Sequence, residues 1–483
     1  MEKFLGLLKM FAVLALMLLA GCGGDSIQKS AALLSPDNIN LIFVVTPDLA
    51  NDPLSDINPS TANLSNQGLQ RSLLMATYLK QQLLGTNNVS AIYTLEPMTH
   101  LQTANRYPDM AAIGFIQQFA LLNRKTILGT TADSFPLYAG YAPGDVPPDV
   151  AVPSPYVHGA QGLAFSDKKG NNVALATRII SAKVPGYHVF SAPWETTSAL
   201  LAGINAAKGY NLKLPGTYQG PNLVYAISIT PSGHASLATF DSKLNPPDSY
   251  PTLPSPVAGC PCTQQNFFSY TRTGGVNGAT VPPGANTNQT VYLIRHAEAH
   301  PSNTFEDGNF VGTGQWRALS LPKFLPGALR GRPSPTMVYS IDPAQSFPLI
   351  NVSYVRPSLT VLPYAIANNI PYYLAASFLL KPDANSDTAA ENAKNFFFTN
   401  KAGINLSNQT ILLAWEHEHF PPLIQHLLNS YGGPVPAPTL TWPSADYDTI
   451  WTVKLDGMGN LTVENALCEG IDSTKLPATA PLF

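Results

Sequence analysis

The sequence has little charge for its length. Only 12% of its 483 residues are charged, and the formal net charge is -3 at pH 7. A nucleic-acid interface needs a dense basic face, and an anionic membrane surface attracts a basic patch, so the composition argues against both. A phosphate-binding site would therefore have to be built from a few placed residues.

Long apolar runs are missing after the N-terminus. No run beyond the first 22 residues is long enough to span a bilayer. The chain is 45% hydrophobic and 10% aromatic, which is typical of a globular protein, and its length favours two domains.

The N-terminus has the pattern of an export signal. Two lysines accompany a short apolar run that ends in the small-residue sequence "LAGC" at positions 19–22. This ending resembles the lipobox of bacterial lipoproteins, which implies a signal peptide over residues 1–22, lipidation of Cys22 and a tether over 23–37. The expected location is the bacterial cell envelope, with the chain anchored to a membrane through lipid. A plain signal peptide or an uncleaved anchor is the alternative.

Cysteine is also scarce, and three cysteines follow the signal: Cys260, Cys262 and Cys468. An exported compartment permits one disulfide, and a bridge within Cys-x-Cys would be strained. The hypothesis is therefore that Cys468 pairs with either Cys260 or Cys262.

The rest of the chain contains the same order of elements twice. The distance from a loop glycine to a strand tyrosine is the same in both halves, from Gly68 to Tyr93 and from Gly314 to Tyr339. Apolar strands that alternate with helical segments predict an α/β fold with largely parallel sheets.

The two copies flank a segment rich in proline, glycine and asparagine at residues 246–288, which removes helix and strand options and predicts a linker. The sequence therefore predicts two three-layer domains, over 38–245 and 289–475.

Polar residues follow two strands of the second copy. The run "TVYLI" leads into Arg295 and His296, and "TILLA" leads into His417 and Glu418. In parallel α/β sheets ligands bind at the carboxyl ends of strands, so both groups are expected at one edge of a sheet. The first copy has Thr46-Pro47 in place of the Arg-His pair, so the site is expected in the second copy alone.

On these residues, the second copy resembles the histidine phosphatase superfamily, the phosphoglycerate-mutase-like fold, whose signature is a strand followed by Arg-His-Gly and a later strand followed by His. The match covers about residues 288–465 and is carried mainly by "LIRHAEA" and "ILLAWEHEH". It implies that His296 is the nucleophile that takes the phosphoryl group. Arg295, Arg356 and His417 would then surround the phosphoryl oxygens.

The chain departs from this family pattern at Ala297, at Ala299 and at Val311, which occupies the usual Ser/Thr place before Gly314. Ala297 replaces the usual glycine, a change that a turn tolerates if φ stays negative. Ala299 stands where the acid-phosphatase branch has a second arginine, and His300 is the nearest residue that could compensate. The resemblance thus assigns His300 and Glu298 to substrate binding.

The leaving oxygen needs a proton from a general acid. Glu418 follows His417 directly, where the acid-phosphatase branch has its acidic residue, and it is the first candidate. Glu298 and Asp342 are competitors.

The resulting prediction is an exported, lipid-anchored phosphatase that hydrolyses phosphomonoesters of small molecules through a phosphohistidine, without a cofactor. A catalytically inactive lipoprotein of the same fold, which binds phosphate or a partner, is the alternative. A zinc or iron site is a further alternative, formed by His296, His300, His417 and His419.

Overall fold

The computed structural model describes residues 34–53, 55–97, 101–102, 107–127, 129–139, 171–262, 267–300, 306–344, 346–347, 352–375, 386–401, 403–433 and 440–483. The predicted signal peptide, Cys22 and most of the predicted tether lie outside these residues. Within them, no helix combines the length and the apolar character needed to cross a membrane.

The first half forms a six-stranded sheet with helices on both faces. Its strands are β1 (Ile39–Thr46), β2 (Ala91–Thr94), β3 (Leu137–Tyr138), β4 (Gly186–Pro193), β5 (Leu223–Ile229) and β6 (Ala235–Asp241), in the order β6-β5-β1-β4-β2-β3. β1, β4, β2 and β3 are parallel, and β5 and β6 are antiparallel. Its helices are α1 (Asn66–Tyr78, continued by a π-helix over Leu79–Leu84), α2 (Ala111–Leu121), α3 (Asn171–Ala182) and α4 (Trp194–Lys208).

The second half forms a seven-stranded sheet. Its strands are β7 (Ser269–Arg272), β8 (Gln289–Arg295), β9 (Met337–Ser340), β10 (Tyr372–Leu374), β11 (Thr410–Trp415), β12 (Thr449–Leu455) and β13 (Leu461–Cys468), in the order β7-β13-β12-β8-β11-β9-β10. β8, β11, β9 and β10 are parallel, and the other three strands are antiparallel. Its helices are α5 (Gly312–Ala328), α6 (Arg356–Asn368), α7 (Ser386–Phe398) and α8 (Phe420–Ser430), before a short 3-10 helix at Ser473–Lys475.

Three short two-stranded pairs lie outside the main sheets. They join Leu101–Gln102 to Tyr107–Pro108, Lys125–Ile127 to Thr130–Ala132, and Ser346–Phe347 to Val352–Ser353. The fold is thus α/β with two mixed sheets, each with a parallel centre and an antiparallel end.

The two sheets have the same strand order, because β6-β5-β1-β4-β2-β3 corresponds to β13-β12-β8-β11-β9-β10. Buried arginines at matching positions of α1 and α5 extend this correspondence. Arg71 donates to the carbonyl of Leu244, just after β6, at 2.9 Å. Arg317 donates to the carbonyl of Ile471, just after β13, at 3.2 Å. In both halves, the first helix is therefore fastened to the segment that leaves the terminal hairpin.

Alternating side chains cover each sheet on both faces. On β8, Val291 and Leu293 pack toward α7 and α8, while Tyr292 and Ile294 pack toward α5 and α6. Helices α1, α2, α5 and α6 lie between the two sheets and share one cluster of buried residues. The two halves therefore have a helical layer in common, and their division into separate domains stays a prediction.

Part of the segment 246–288, predicted as a linker, packs against the second half. Its strand β7 pairs with β13, and the hydroxyl of Tyr250 donates to the carbonyl of Leu319 at 2.9 Å. Cys262 forms a disulfide with Cys468, as one of the two predicted pairings requires, and Cys260 is a free thiol. The proline and glycine content of the segment predicted no strand there. β7 forms because it pairs with β13, which lies far away in the sequence.

Candidate active site

The candidate site lies at the carboxyl ends of β8 and β11, which are parallel neighbours. Arg295 and Trp415 are paired in register at the two strand ends. The backbone N–H of His296 continues the ladder by donating to the carbonyl of Trp415 at 3.0 Å. Arg295-His296 and His417 therefore leave adjacent strands at the same edge of the sheet, where the sequence placed them.

His296 is buried, with only 3% of its surface exposed. Its Nδ1 lies 2.8 Å from the carbonyl oxygen of Ala297. A carbonyl only accepts hydrogen bonds, so this contact assigns the ring proton to Nδ1 and leaves the lone pair of the neutral imidazole on Nε2. The rings of Tyr354 and Tyr447 meet the imidazole edge-on, with centroids 6.3 and 6.2 Å away. The hydrogen bond to Ala297 therefore identifies Nε2 as the nitrogen that could attack a phosphorus atom.

Each of the two arginines stacks on one of these tyrosines. The Arg295 guanidinium lies 3.9 Å from the ring centroid of Tyr447, and the Arg356 guanidinium lies 4.5 Å from that of Tyr354. Arg295 also donates to two backbone carbonyls in the loop before β12, and Arg356 donates to Glu306 at 2.8 Å. The Nε of each arginine is buried and has no hydrogen-bond partner among the residues that the structure describes. Each of these two guanidinium groups therefore has one N–H donor that a ligand could use.

The surroundings of both imidazoles beside the arginines favour the neutral ring. Burial, followed by the positive charges of Arg356 and Arg295, holds the pKa of His296 well below its ordinary value of 6.5. Burial and the same arginines lower the pKa of His417 to about 4. The Nδ1 of His417 is also buried, and no described residue forms a hydrogen bond with it. This arrangement of charge suits a bound dianion. Its negative charge would oppose the effect of the arginines and raise the pKa of both histidines.

Adding inorganic phosphate should therefore raise the pKa of His417. We expect its ring resonances to titrate near pH 4 in the free protein, and to do so at least about one pH unit higher with saturating phosphate, because an opposite charge nearby favours the protonated ring. Histidine ring NMR over pH 3–8 measures this. The ring of His426, on α8 beside Glu391, should not respond to phosphate. An unchanged titration of His417 would contradict an anion site here.

A threonine on α6 joins the loop after β8 to the first turn of that helix, which begins at Arg356. The hydroxyl of Thr360 accepts from the N–H of Ala297 at 2.8 Å and donates to the carbonyl of Arg356 at 2.7 Å. Ala297 is not among the residues with positive φ, so an alanine fits this turn without backbone strain. The distance between His296 and Arg356 is therefore set by a side-chain bridge on α6.

Glu298 has a different position from the one predicted. Its carboxylate pairs with Arg317 Nε at 2.8 Å and accepts from the hydroxyl of Ser473 at 2.7 Å. The sequence pattern suggested a residue that faces substrate, but Arg317 on α5 turns this carboxylate toward the C-terminal segment. A glycine is needed nearby, because a Cβ on Gly314 would lie 2.8 Å from the carbonyl oxygen of Glu298. We interpret Glu298 as an anchor of the loop after His296.

The other predicted residues lie around the same edge. Glu418 is exposed beside His417, and His300 is half-buried, just before residues that lie outside the described chain. Asp342 is buried after β9 and accepts from the N–H of Ala344 at 2.9 Å. Burial raises the pKa of Asp342 to about 7. The roles of Glu418, His300 and Asp342 stay predictions.

Sequence reasoning missed Glu416, which precedes His417. Glu416 is buried, accepts from the hydroxyl of Tyr354 at 2.6 Å and lies 3.4 Å from Nε2 of His419. Burial raises the pKa of Glu416 to about 7. Its place directly after the buried strand β11 was a signal of burial that the sequence did contain. Tyr354 had no such signal.

Among the described residues, no group of three or more histidines, cysteines and carboxylates is placed to hold a metal ion. The metal alternative at the histidines of this edge therefore gains no support from the geometry.

No protein-family model matches the chain, and no curated protein matches it significantly. Solved structures are similar to part of it. The protein histidine phosphatase SixA complexed with tungstate is 16% identical, with a TM-score of 0.24, and the match covers 37% of this chain and 96% of that one. A SixA protein from Nakamurella multipartitia is 15% identical, with a TM-score of 0.23 and coverages of 42% and 96%. A SixA protein from Agrobacterium tumefaciens is 16% identical, with a TM-score of 0.21 and coverages of 35% and 92%.

Proposed function

We propose that the chain is a phosphatase that hydrolyses phosphomonoesters in its second half through a phosphohistidine at His296. The observation that carries this proposal is the pair of stacked, buried arginines beside His296, whose surroundings favour the neutral ring. Within the part of the chain that the structure describes, the Nε of each arginine has no hydrogen-bond partner. Guanidinium groups bind phosphoryl oxygens through paired N–H donors. Of the two buried guanidinium groups, Arg356 pairs with the carboxylate of Glu306, whereas Arg295 donates to backbone carbonyls, so a net positive charge remains beside His296.

In the proposed reaction, Nε2 of His296 attacks phosphorus and the bond to the ester oxygen breaks. Arg295, Arg356 and His417 stabilise the charge on the three phosphoryl oxygens in the transition state. The leaving oxygen takes a proton from a general acid, and water then attacks the phosphohistidine to release inorganic phosphate and restore the imidazole. The hydrogen bond from Nδ1 to Ala297 supports this choice of nucleophilic nitrogen.

Two carboxyl groups flank His417 as candidates for the acid. Glu418 is the first candidate because it is exposed and adjacent to His417. Glu416 is the second, because a pKa of about 7 keeps much of it protonated near neutral pH.

The proposal includes the origin and location of the chain. The two halves would be copies of one fold joined by the segment 246–288, and the first copy would have lost the catalytic cluster. Their common strand order and the matching arginines Arg71 and Arg317 support this. A lipid anchor at Cys22, a location in the bacterial cell envelope and a phosphorylated small molecule as substrate complete the proposal.

Phosphate binding without turnover is the second candidate. The ion pair between Arg356 and Glu306 favours it. The carboxylate already accepts a hydrogen bond from one nitrogen of the guanidinium, and this would weaken the stabilisation of a transition state by Arg356.

The test is hydrolysis of p-nitrophenyl phosphate by the chain from residue 23, with EDTA present, followed by rapid quenching. We expect release of p-nitrophenol that EDTA does not reduce, and an acid-labile phosphoryl group on the peptide that contains His296. Loss of activity in EDTA, or a phosphoryl group on another residue, would contradict the mechanism. Phosphate binding without hydrolysis would favour the second candidate.

A further inference from the structure

The first half contacts the loop that precedes α5 in the second half. Gln117 Nε2 on α2 donates to Asn309 Oδ1 at 2.7 Å, and Asn309 Nδ2 donates to the carbonyl of Phe135 at 3.0 Å. The hydroxyl of Ser134 donates to the carboxylate of Asp307. Gln117, Asn309, Ser134 and Asp307 are all buried. Buried polar groups depend on such partners, so these contacts fix the loop on the first half.

The same loop holds Arg356 in two ways. The carbonyl of Gly308 accepts from the N–H groups of Val355 and Arg356, at 2.9 and 3.1 Å. The carboxylate of Glu306 accepts from the N–H of Gly308 and from Nη1 of Arg356, both at 2.8 Å. Gly308 has a φ of +70°, and a Cβ there would lie 2.0 Å from the carbonyl oxygen of Ser353. Because the fit is this close, a shift of the loop would move both the backbone and the guanidinium of Arg356.

A second contact holds the residues just before α6. The hydroxyl of Ser353 donates to the carbonyl of Ala139 at 2.6 Å and accepts from the N–H of Ala139 at 2.9 Å. Ala139 follows β3 at the edge of the first sheet. The first half therefore contacts both the loop that bonds to Arg356 and Ser353, which lies shortly before Arg356 in the sequence.

We propose that Gln117, Ser134 and Asn309 are positioning residues for Arg356, so that the first half is a required part of the site in the second half. This inference rests on the proposed function, in which Arg356 binds the phosphoryl group. It gives the first half, which lacks the Arg-His pair, a defined task. The contacts act through the loop and do not reach substrate themselves.

Neighbouring glutamines on α2 provide a matched pair of variants. Gln117→Met keeps similar volume but removes the donor to Asn309. Gln118→Met is the control, since Gln118 is also buried and also bonds across the halves, accepting from Gln315 at 2.9 Å and donating to the carbonyl of Pro481 at 2.5 Å. Neither contact of Gln118 involves the loop at 306–310.

Two measurements on the full chain test the inference. Hydrogen exchange of the Val355 and Arg356 amides should be about tenfold faster in Gln117→Met than in the wild type, because the carbonyl of Gly308 is held less firmly. The Kd for inorganic phosphate should rise by about tenfold, and this increase should vanish when Arg356 is already alanine, because the effect passes through that side chain. Gln118→Met should change neither quantity.

The possible results separate this inference from the proposed function. Unchanged exchange in Gln117→Met, or equal changes in Gln117→Met and Gln118→Met, would overturn the positioning role. A weaker phosphate affinity that persists in the Arg356→Ala background would overturn it too. If the wild type neither binds phosphate nor hydrolyses the ester, the proposed function fails. The exchange comparison then still decides whether the first half holds Arg356.

Discussion

Replacing His296 with alanine should lower kcat for p-nitrophenyl phosphate by about 10⁴- to 10⁶-fold, as removal of a covalent nucleophile does in other enzymes. Inorganic phosphate should still bind, because the stacked guanidinium groups of Arg295 and Arg356 remain in place. Steady-state kinetics give the first quantity and calorimetric titration with phosphate gives the second. The combination of lost turnover and retained binding is specific to a nucleophile.

The control is His426→Ala on α8, where the histidine lies 3.2 Å from Glu391 and outside the proposed site. Its kcat should equal that of the wild type. A His296→Ala variant that keeps more than about one-tenth of the wild-type kcat would remove His296 from the nucleophile role, since water alone does not replace an activated imidazole. Such a result would transfer attention to the buried carboxyl of Glu416.

The carboxyl edge of the first sheet explains why one half alone is expected to bind phosphate. The strand β1 ends at Thr46, and the following residues include the buried carboxylates of Asp48 and Asp52. The hydroxyl of Tyr218 donates to Asp52 at 2.6 Å, and burial raises the pKa of Asp52 to about 6. Above that pH, the Asp52 carboxylate places negative charge near the carboxyl end of β1, so a phosphate dianion would be repelled there.

Local pattern predicted which residues lie at the carboxyl ends of the strands better than it predicted their contacts. Arg295, His296 and His417 could be assigned to one edge because each follows an apolar run, and parallel strands end together. The partner of Glu298 could not be assigned, since Arg317 is on a helix that only the folded chain brings beside it. Burial of Tyr354 likewise depends on contacts distant in sequence.

The same reasoning applies to the fold. The order of strands and helices followed from the alternation of apolar runs, and it is visible in both sheets. The shared helical layer did not follow, because an amphipathic helix does not reveal which surface covers it. Gly114 on α2 illustrates this, since a Cβ there would lie 2.7 Å from the side chain of Leu362 on α6. The small size of Gly114 therefore permits close packing between the two halves, which the sequence of α2 alone does not reveal.

Replacing Arg317 with alanine should destabilise the chain by about 3–5 kcal/mol, because breaking a buried ion pair leaves its partners without a counter-charge. Arg317 is fully buried and lies 2.8 Å from Glu298 Oε1 and 2.6 Å from Glu469 Oε2. It also donates to the hydroxyl of Ser473 at 2.6 Å. Urea unfolding followed by tryptophan fluorescence measures the change in the free energy of unfolding.

The loss should depend on pH in a stated direction. Burial raises the pKa of Glu469 to about 8, although Arg317 opposes this shift. A carboxyl whose pKa is raised in the folded state contributes stability at low pH that is lost as the pH rises through the folded pKa. Without Arg317 the folded pKa rises further, so the deficit relative to the wild type should be larger at pH 9 than at pH 5. A deficit that shrinks as the pH rises would contradict this account of the ion pair.

Arg71→Ala in the first half is the matched comparison, because Arg71 occupies the same helix position and pairs with one carboxylate, Asp56, at 2.7 Å. Both variants should unfold more readily, but only Arg317→Ala releases Glu298, two residues after His296, and so should also reduce kcat.

Arg317→Lys should recover part of the stability and little of the kcat, because an ammonium group keeps the charge but cannot bridge Glu298, Glu469 and Ser473 in one plane. Equal kcat values for Arg71→Ala and Arg317→Ala would show that the anchor of the catalytic loop lies elsewhere.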